Sequence, residues 1–475
     1  MRKNFALILE ETSSFPMADT RIERDSMGEM SVPSEALYGA STQRAVLNFP
    51  VSGYRFPRAF IRALGLIKAG AALANRDLGK LDPSLSEIIV SAAMEVADGK
   101  LDEHFPLDIF QTGSGTSTNT NANEVIAHRA RVLSNSDQKI HPNDHVNMGQ
   151  SSNDVIPSAI HVAAAESLKN DLLPALDALH LELLGKSGEF WDVLKIGRTH
   201  LMDATPIRLG QEFSGYAMQV EYGKLRAGNA IRALEELALG GTAVGTGLNT
   251  DATFSGKVCR TLWEKTGISF REAANHFEAQ GAKDALVEAS GQLKTIAVSL
   301  FKIANDLRWL SSGPQCGIGE LQLPATQPGS SIMPGKVNPV MCESLMQVCT
   351  QVIGNDSTIT WAGANGNLDL NVMMPVMAHN ILESIRLLSN STQLFADRCV
   401  SGIVANKEHC ESLIEKSLAM VTSLAPIIGY DLAADIAKES AKTGKTVREI
   451  CRERKILPEE KLAAALDPVK MTGNQ

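Results

Sequence analysis

Aromatic side chains are scarce in this chain, 5% of its 475 residues, although hydrophobic residues reach 44%. The apolar content is therefore aliphatic, rich in Ala and Leu, and leans towards helices built from good helix formers. A large excess of charge is also missing. The net charge of -9 is modest for this length and argues against nucleic acid as the main partner, which would need a basic face. It leaves room for an anionic small molecule, because charges beyond ~8 Å are screened and a few local cations dominate a pocket. No apolar run reaches the ~18 residues that span a membrane, so no membrane partner is expected. The seven cysteines (259, 316, 342, 349, 399, 410 and 451) are scattered and form no CxxC pair. These spacings argue against a zinc site or an iron–sulfur cluster and point to a reducing, cytoplasmic compartment. Cys342 and Cys349, seven apart, read as small buried residues of one helix. Internal repeats, low-complexity tracts and strand-type alternation are absent or nearly so.

What is present is helical period. Apolar residues recur at helical spacing over 160–184, with Pro174 as a kink. Leu286, Leu293, Ile296, Leu300, Ile303 and Leu307 form a long stripe, and Met341, Leu345, Val348 and Val352 form another. Such stripes imply helices of 20 or more residues, ~30 Å each, packed as a bundle. The expected fold class is all-α, with a long central helical bundle and three domains: a mostly helical N-terminal domain at 1–148, the bundle at 149–403 and a small helical domain at 404–475. Residues 1–20 read as an N-terminal extension with no order assigned. Gly444 is placed to end a helix.

Two stretches, QTGSGTSTNTNANEV (111–125) and HPNDHVNMGQSSNDV (141–155), are almost wholly polar and look like surface loop. Each leads into apolar helical pattern and so also suits a helix cap. A third, PGSSIMPGKVNP (328–339), looks at first like a phosphate loop. It fails that test: five residues separate Gly329 from Gly335, and Val337 follows the lysine where a P-loop has Ser or Thr. Glycine at both ends permits unusual backbone angles and close approach to a ligand. Lys336 and Asn338, two apart, would face one side of an extended segment and offer a cation and an amide to one carboxylate.

The loop GSSIMPGKVNP resembles the signature of the fumarase/aspartase lyase superfamily. TGSGT (112–116), HPNDHVN with QSSNDV (141–155), KIGRTHLMDATP (195–206) and LGGTAVGTGLN (239–249) match the same family in the same order, and the similarity runs from about Arg24 to the C-terminus. Among members the chain most resembles the class II fumarases, which use neither metal nor cluster. The resemblance implies an all-α bundle, a homotetramer with active sites shared between subunits, no cofactor, and a small dicarboxylate, fumarate or malate, as substrate.

It also implies roles. Ser330 would be the base that removes the C3 proton of malate, leaving a carbanion held as an aci-carboxylate. His200 paired with Glu343 would handle the water. A serine hydroxyl is a poor base, so loop N–H groups and Lys336 would have to stabilise its alkoxide. Ser114, Thr116, Ser151, Ser152, Asn153, Thr199, Lys336 and Asn338 would hold the substrate. His141, Asn143 and Asp144 match a second dicarboxylate site, although Gln138 stands where a basic residue is usual. His200 and the PGK triplet favour hydration over the ammonia elimination of aspartases. The presence of Ser330, His200, Glu343, Lys336 and Asn338 together argues against a non-catalytic structural member.

Overall fold

The computed structural model describes residues 19–134 and 139–473. Gln138 and the first 18 residues of the expected extension lie outside them. Helices dominate, and the all-α expectation holds. The longest are Leu209–Ala233, Asp284–Leu310, Val340–Gly363 and Met374–Arg398. Asp284–Leu310 covers the predicted stripe, and Leu286, Leu293, Ile296, Leu300, Ile303 and Leu307 are all buried. On Val340–Gly363 the buried face is Cys342, Leu345, Cys349 and Val352, so the two thiols take core places while Met341 and Val348 are half-buried. Pro174 marks no mid-helix kink. Helix Ser152–Ser167 opens into a π turn at Leu168–Leu172, and a new helix, Leu173–Glu189, begins with Pro174 in its first turn. A proline is tolerated there, because its missing N–H would have no partner anyway. Among the described residues the strands form five two-stranded pairs, most of them two residues long. No described helix is long and apolar enough to cross a membrane.

The chain divides into two compact units. The first comprises Met1–Ser167, Ala230–Ser290 and Asn355–Glu383; the second comprises Leu168–Asn229, Gly291–Gly354 and Ser384–Gln475. In the first unit, helix Arg58–Asp77 is buried on nearly every face. Gly65 lets it approach helix Pro83–Ala97 closely: a Cβ there would lie 2.6 Å from Ala97 N. Helix Ala40–Asn48 has no cap of its own. The Glu124 carboxylate supplies one from another helix, accepting from Gly39 N, Ser41 N, Thr42 N and Thr42 Oγ1.

In the second unit, the short C-terminal helices close around Ile414, Leu424, Ile436, Val447, Ile450 and Leu462. Ile196 joins that core from the hairpin Leu194–Thr199 and Met202–Arg208. Helix Tyr430–Thr443 ends at Gly444, φ 74°, the left-handed cap the sequence suggests.

Candidate active site

In the first unit two helix N-termini meet at a line of hydroxyls. The turn into helix Thr116–Ser134 needs glycine twice. Gly115 has φ 71°, and a Cβ on Gly113 would run into the Val372 carbonyl. The turn brings Ser114 Oγ to 2.8 Å from Thr116 Oγ1, which is itself 2.8 Å from Ser152 Oγ at the start of helix Ser152–Ser167. The positive ends of two helix dipoles thus converge on the same hydroxyls, an arrangement suited to an anion. The polar stretch at 111–125 is therefore no surface loop. Thr118, Asn119, Asn121 and Asn123 are buried on the helix, and Gln111 Oε1, Asn147 Oδ1 and the His104 carbonyl accept from the first three.

The second helix start is held from below. Ser151 Oγ accepts from Asn153 N at 3.2 Å, a capping contact. The wholly buried Asp154 accepts from Ser151 N, Gly240 N and Thr242 N at 2.9–3.0 Å. Burial raises its carboxyl above the ordinary value, against the pull of those N–H groups. Asn153 Nδ2 donates to Ala243 O at 2.8 Å, so the 239–243 loop is pinned to the same helix start.

The second unit carries the lysine loop. Gly329 N donates to Lys336 O at 2.9 Å, and Asn338 Nδ2 donates to Gly329 O at 2.8 Å. The close approach that Gly329 permits is to this loop's own backbone, since a Cβ would collide with the Lys336 carbonyl. Gly335 takes φ 80°. Inside the closed loop, Ser330 Oγ accepts from Ile332 N at 3.3 Å and Met333 N at 3.0 Å. Two N–H dipoles aimed at one hydroxyl oxygen favour negative charge on it. Ser331, Ile332, Met333 and Lys336 are exposed.

His200 occupies the tip of the hairpin, with Leu201. Thr199 pairs with Met202, and the two tip residues have φ 57° and 60°. Both are left-handed, as a two-residue hairpin turn requires, but neither is the Asn or Gly that such a turn prefers. The cost is ~1–2 kcal/mol per residue, and strain of this kind gathers at functional sites. The strand behind the tip is anchored by charge. Arg198 Nη1 donates to Glu320 Oε2 at 2.9 Å, its Nη2 lies 2.8 Å from Oε1, and Lys195 Nζ lies 3.2 Å from Oε2. Glu320 is fully buried and its backbone opens strand Leu321–Gln322, ahead of the lysine loop.

The structure brings Ser114, Thr116 and Ser152 together, with Ser151 and Asn153 at the same helix start. It gathers Ser330 and Asn338 in one closed loop. It does not join His200 to Glu343: both lie in the second unit, and no hydrogen bond or ion pair links them within one chain. His141 Nδ1 accepts from Asn143 N and Asp144 N, and His141 and Asn143 line a cavity of about 490 Å³ that also holds Arg24 and Arg131. Among the described residues, no group of three or more His, Cys, Asp or Glu side chains could hold a metal ion. Sequence reasoning missed Lys68, Asp154 and Glu320. A signal existed for Asp154, as Ser151-x-x-Asp154 is a capping pattern. Lys68 appears in the sequence only as a lone charge inside an apolar run, and Glu320 only as a lone charge between Gly319 and Leu321.

Two family models match the chain: Lyase over residues 28–354 and Fumarase C C-terminus over residues 420–473. Fumarate hydratase class II of Corynebacterium efficiens is 55% identical over 443 residues, 93% of each chain. That of Halobacterium salinarum is 55% identical over 457 residues, 96% of this chain and 97% of the relative. The crystal structure of class II fumarase from Schistosoma mansoni superposes with a TM-score of 0.93 at 42% identity, covering 95% of this chain and 99% of that one.

Proposed function

The chain belongs to the Lyase family and, within it, to the class II fumarate hydratases, and on that premise we propose that it is a hydro-lyase interconverting fumarate and (S)-malate, with Ser330 as the base. In the direction of malate dehydration the Ser330 alkoxide takes the C3 proton. The electron pair moves into the adjacent carboxylate as an aci-carboxylate, and the C2 hydroxyl leaves as water with a proton supplied through His200 and Glu343. The observation that carries this reading is the pair of N–H groups of Ile332 and Met333 pointing at Ser330 Oγ. It supports an oxyanion there before substrate arrives, a form of electrostatic preorganisation. Lys336 adds a cation from the same loop.

The hydroxyls of Ser114, Thr116 and Ser152, with Ser151, Asn153, Thr199, Lys336 and Asn338, would hold the two carboxylates. Hydroxyls and amides orient a dianion without binding it too tightly for turnover. The absence of a His200–Glu343 contact within one chain supports assembly of the site from several subunits of a homotetramer. An exposed, strained hairpin tip that carries exposed Leu201 and is followed by exposed Met202 is the kind of feature a neighbouring subunit would cover. His141, Asn143 and Asp144 would offer a second dicarboxylate site, with Arg24 and Arg131 of the shared cavity in the role that Gln138 cannot fill. Six buried free thiols fit a reducing cytoplasm.

The test is absorbance at the fumarate band with malate or aspartate as substrate, in the wild type and in Ser330→Ala. Malate should give fumarate and aspartate should not. S330A should keep its melting temperature and lose turnover by at least ~10³-fold, in line with loss of a general base. Full activity in S330A would overturn the base assignment, and a rate on aspartate alone would overturn the reaction.

A further inference from the structure

One buried cation tied to the segments that carry the hydroxyls is not used by the mechanism above. Lys68 stands in the middle of helix Arg58–Asp77 with no exposed surface. Its Nζ donates to Asn147 Oδ1 at 2.8 Å and to Gln150 Oε1 at 3.0 Å. Gln150 leads directly into Ser151 and Ser152. Asn147 Oδ1 also accepts from Asn119 Nδ2 at 3.2 Å, on the helix that begins at Thr116. The ammonium is therefore tied, through neutral amides, to both segments that carry the hydroxyls.

A buried lysine ordinarily has a carboxylate partner. This one has none within hydrogen-bonding distance among the described residues. The charged group that acts on it is Asp154, on helix Ser152–Ser167, whose oxygens are already taken by Ser151 N, Gly240 N and Thr242 N. The turn after Pro142–Val146 faces it with the amides of Asn147 and Gln150, and helix Thr116–Ser134 is linked to it through Asn119 and Asn147. Helices Pro83–Ala97 and Phe254–Thr266, packed on the same helix, give it no hydrogen-bonding or charged partner. A cation has thus been buried against neutral amides, with Asp154 acting on it through space but no carboxylate hydrogen-bonded to it.

We propose that Lys68 is a positioning residue whose charge is completed by the substrate: a dicarboxylate bound at Ser114, Thr116 and Ser152 supplies the missing negative charge and draws a proton onto the lysine. This rests on the reading of those hydroxyls as the carboxylate cradle. Burial lowers the Lys68 ammonium to about 7, so its charge is in play at neutral pH. The sign follows. An anion nearby favours the charged form, so binding raises the lysine pKa and takes up a proton wherever the free enzyme has lost one. Affinity is therefore greatest at low pH and falls as pH rises through 7, by at most about tenfold per pH unit for one proton.

The probe is succinate, a four-carbon dicarboxylate that can be neither hydrated nor dehydrated, titrated calorimetrically into the oligomer between about pH 6.5 and 8.5. Repeating the titration at pH 7.5 in buffers of different ionisation enthalpy counts protons. Wild type should take up a fraction of one proton, and its affinity should fall across the range. Lys68→Met should bind weakly and lose that uptake. Lys68→Arg, charged throughout, should bind at the low-pH wild-type level with a flat profile. Wild type that takes up no proton overturns the proposal without recourse to any variant. So does a K68M enzyme that keeps the wild-type slope while Ser152→Ala loses binding, which spares the cradle and removes Lys68. Equal binding by wild type and S152A overturns the cradle reading, and this inference with it.

Discussion

Glu320→Ala removes the centre of the charge cluster behind the His200 hairpin. The Glu320 side chain is 0% exposed and Lys195 is 1% exposed, while Glu212, the other carboxylate near Lys195 at 3.1 Å, is 24% exposed. Deleting Glu320 leaves Lys195 with a half-solvated partner and Arg198 with no strong one. Breaking a buried pair from one side costs about 3–5 kcal/mol, because the surviving charge stays desolvated. The second unit has roughly 220 residues, a size at which 1 kcal/mol corresponds to about 2–4 °C in Tm. E320A should therefore melt ~6–20 °C lower by scanning calorimetry. Arg198→Ala should cost less, since Glu320 keeps Lys195. The double variant should cost less than the sum by roughly 1–3 kcal/mol, since the two side chains share one interaction. Activity should follow position: the cluster fixes the strand that ends in Thr199 and His200, so kcat should fall by more than KM rises, and a shift of ~1 Å suffices for ~10²-fold. A Tm drop below about 3 °C together with strict additivity would refute the reasoning.

Two further outcomes follow from local geometry. Gly329→Ala places a methyl against the Lys336 carbonyl and 2.9 Å from Asn338 N, so the loop must open; turnover should fall by ~10²-fold or more while calorimetry shows little change, because the loop is largely exposed. His161 donates from Nδ1 to Glu236 O at 2.8 Å, and burial holds its pKa down at about 4. The unfolded chain then binds the proton more readily below about 6.5. The stability this residue protects is intact above that pH and is lost as pH falls towards 4, on the order of 1–3 kcal/mol. His161→Gln should flatten that part of the curve in denaturant titrations at pH 5 and 7.

Much of this was legible in the sequence, for a physical reason: helical period is local. The stripe at 284–310 became one helix, and the family resemblance, carried by contiguous strings such as GSSIMPGKVNP, was borne out. Ser114, Thr116 and Ser152 were named through the family resemblance, and the structure brings their hydroxyls together at two helix starts. The His200–Leu201 turn was not legible. Neither residue favours a left-handed backbone, and strand pairing imposes it on them. Nor were Lys68 and Glu320, whose partners lie 79 and 122 residues away, while the capping pattern at Asp154 does not disclose its second anchor, 86 residues away at Gly240. The burial of Asn119, Asn121 and Asn123 was hidden too, since composition shows polarity and not whether each amide will find a partner.

The interleaving of the two units sets a timetable for synthesis. Each is stitched from three separated lengths of chain, and the first lacks its last length until residue 383 has left the ribosome. Until then the length Asn355–Glu383 is missing and the apolar faces of the earlier segments wait without their final neighbours. A nascent chain of this kind gains little from folding piecemeal, and it stays most prone to aggregation until that third length arrives.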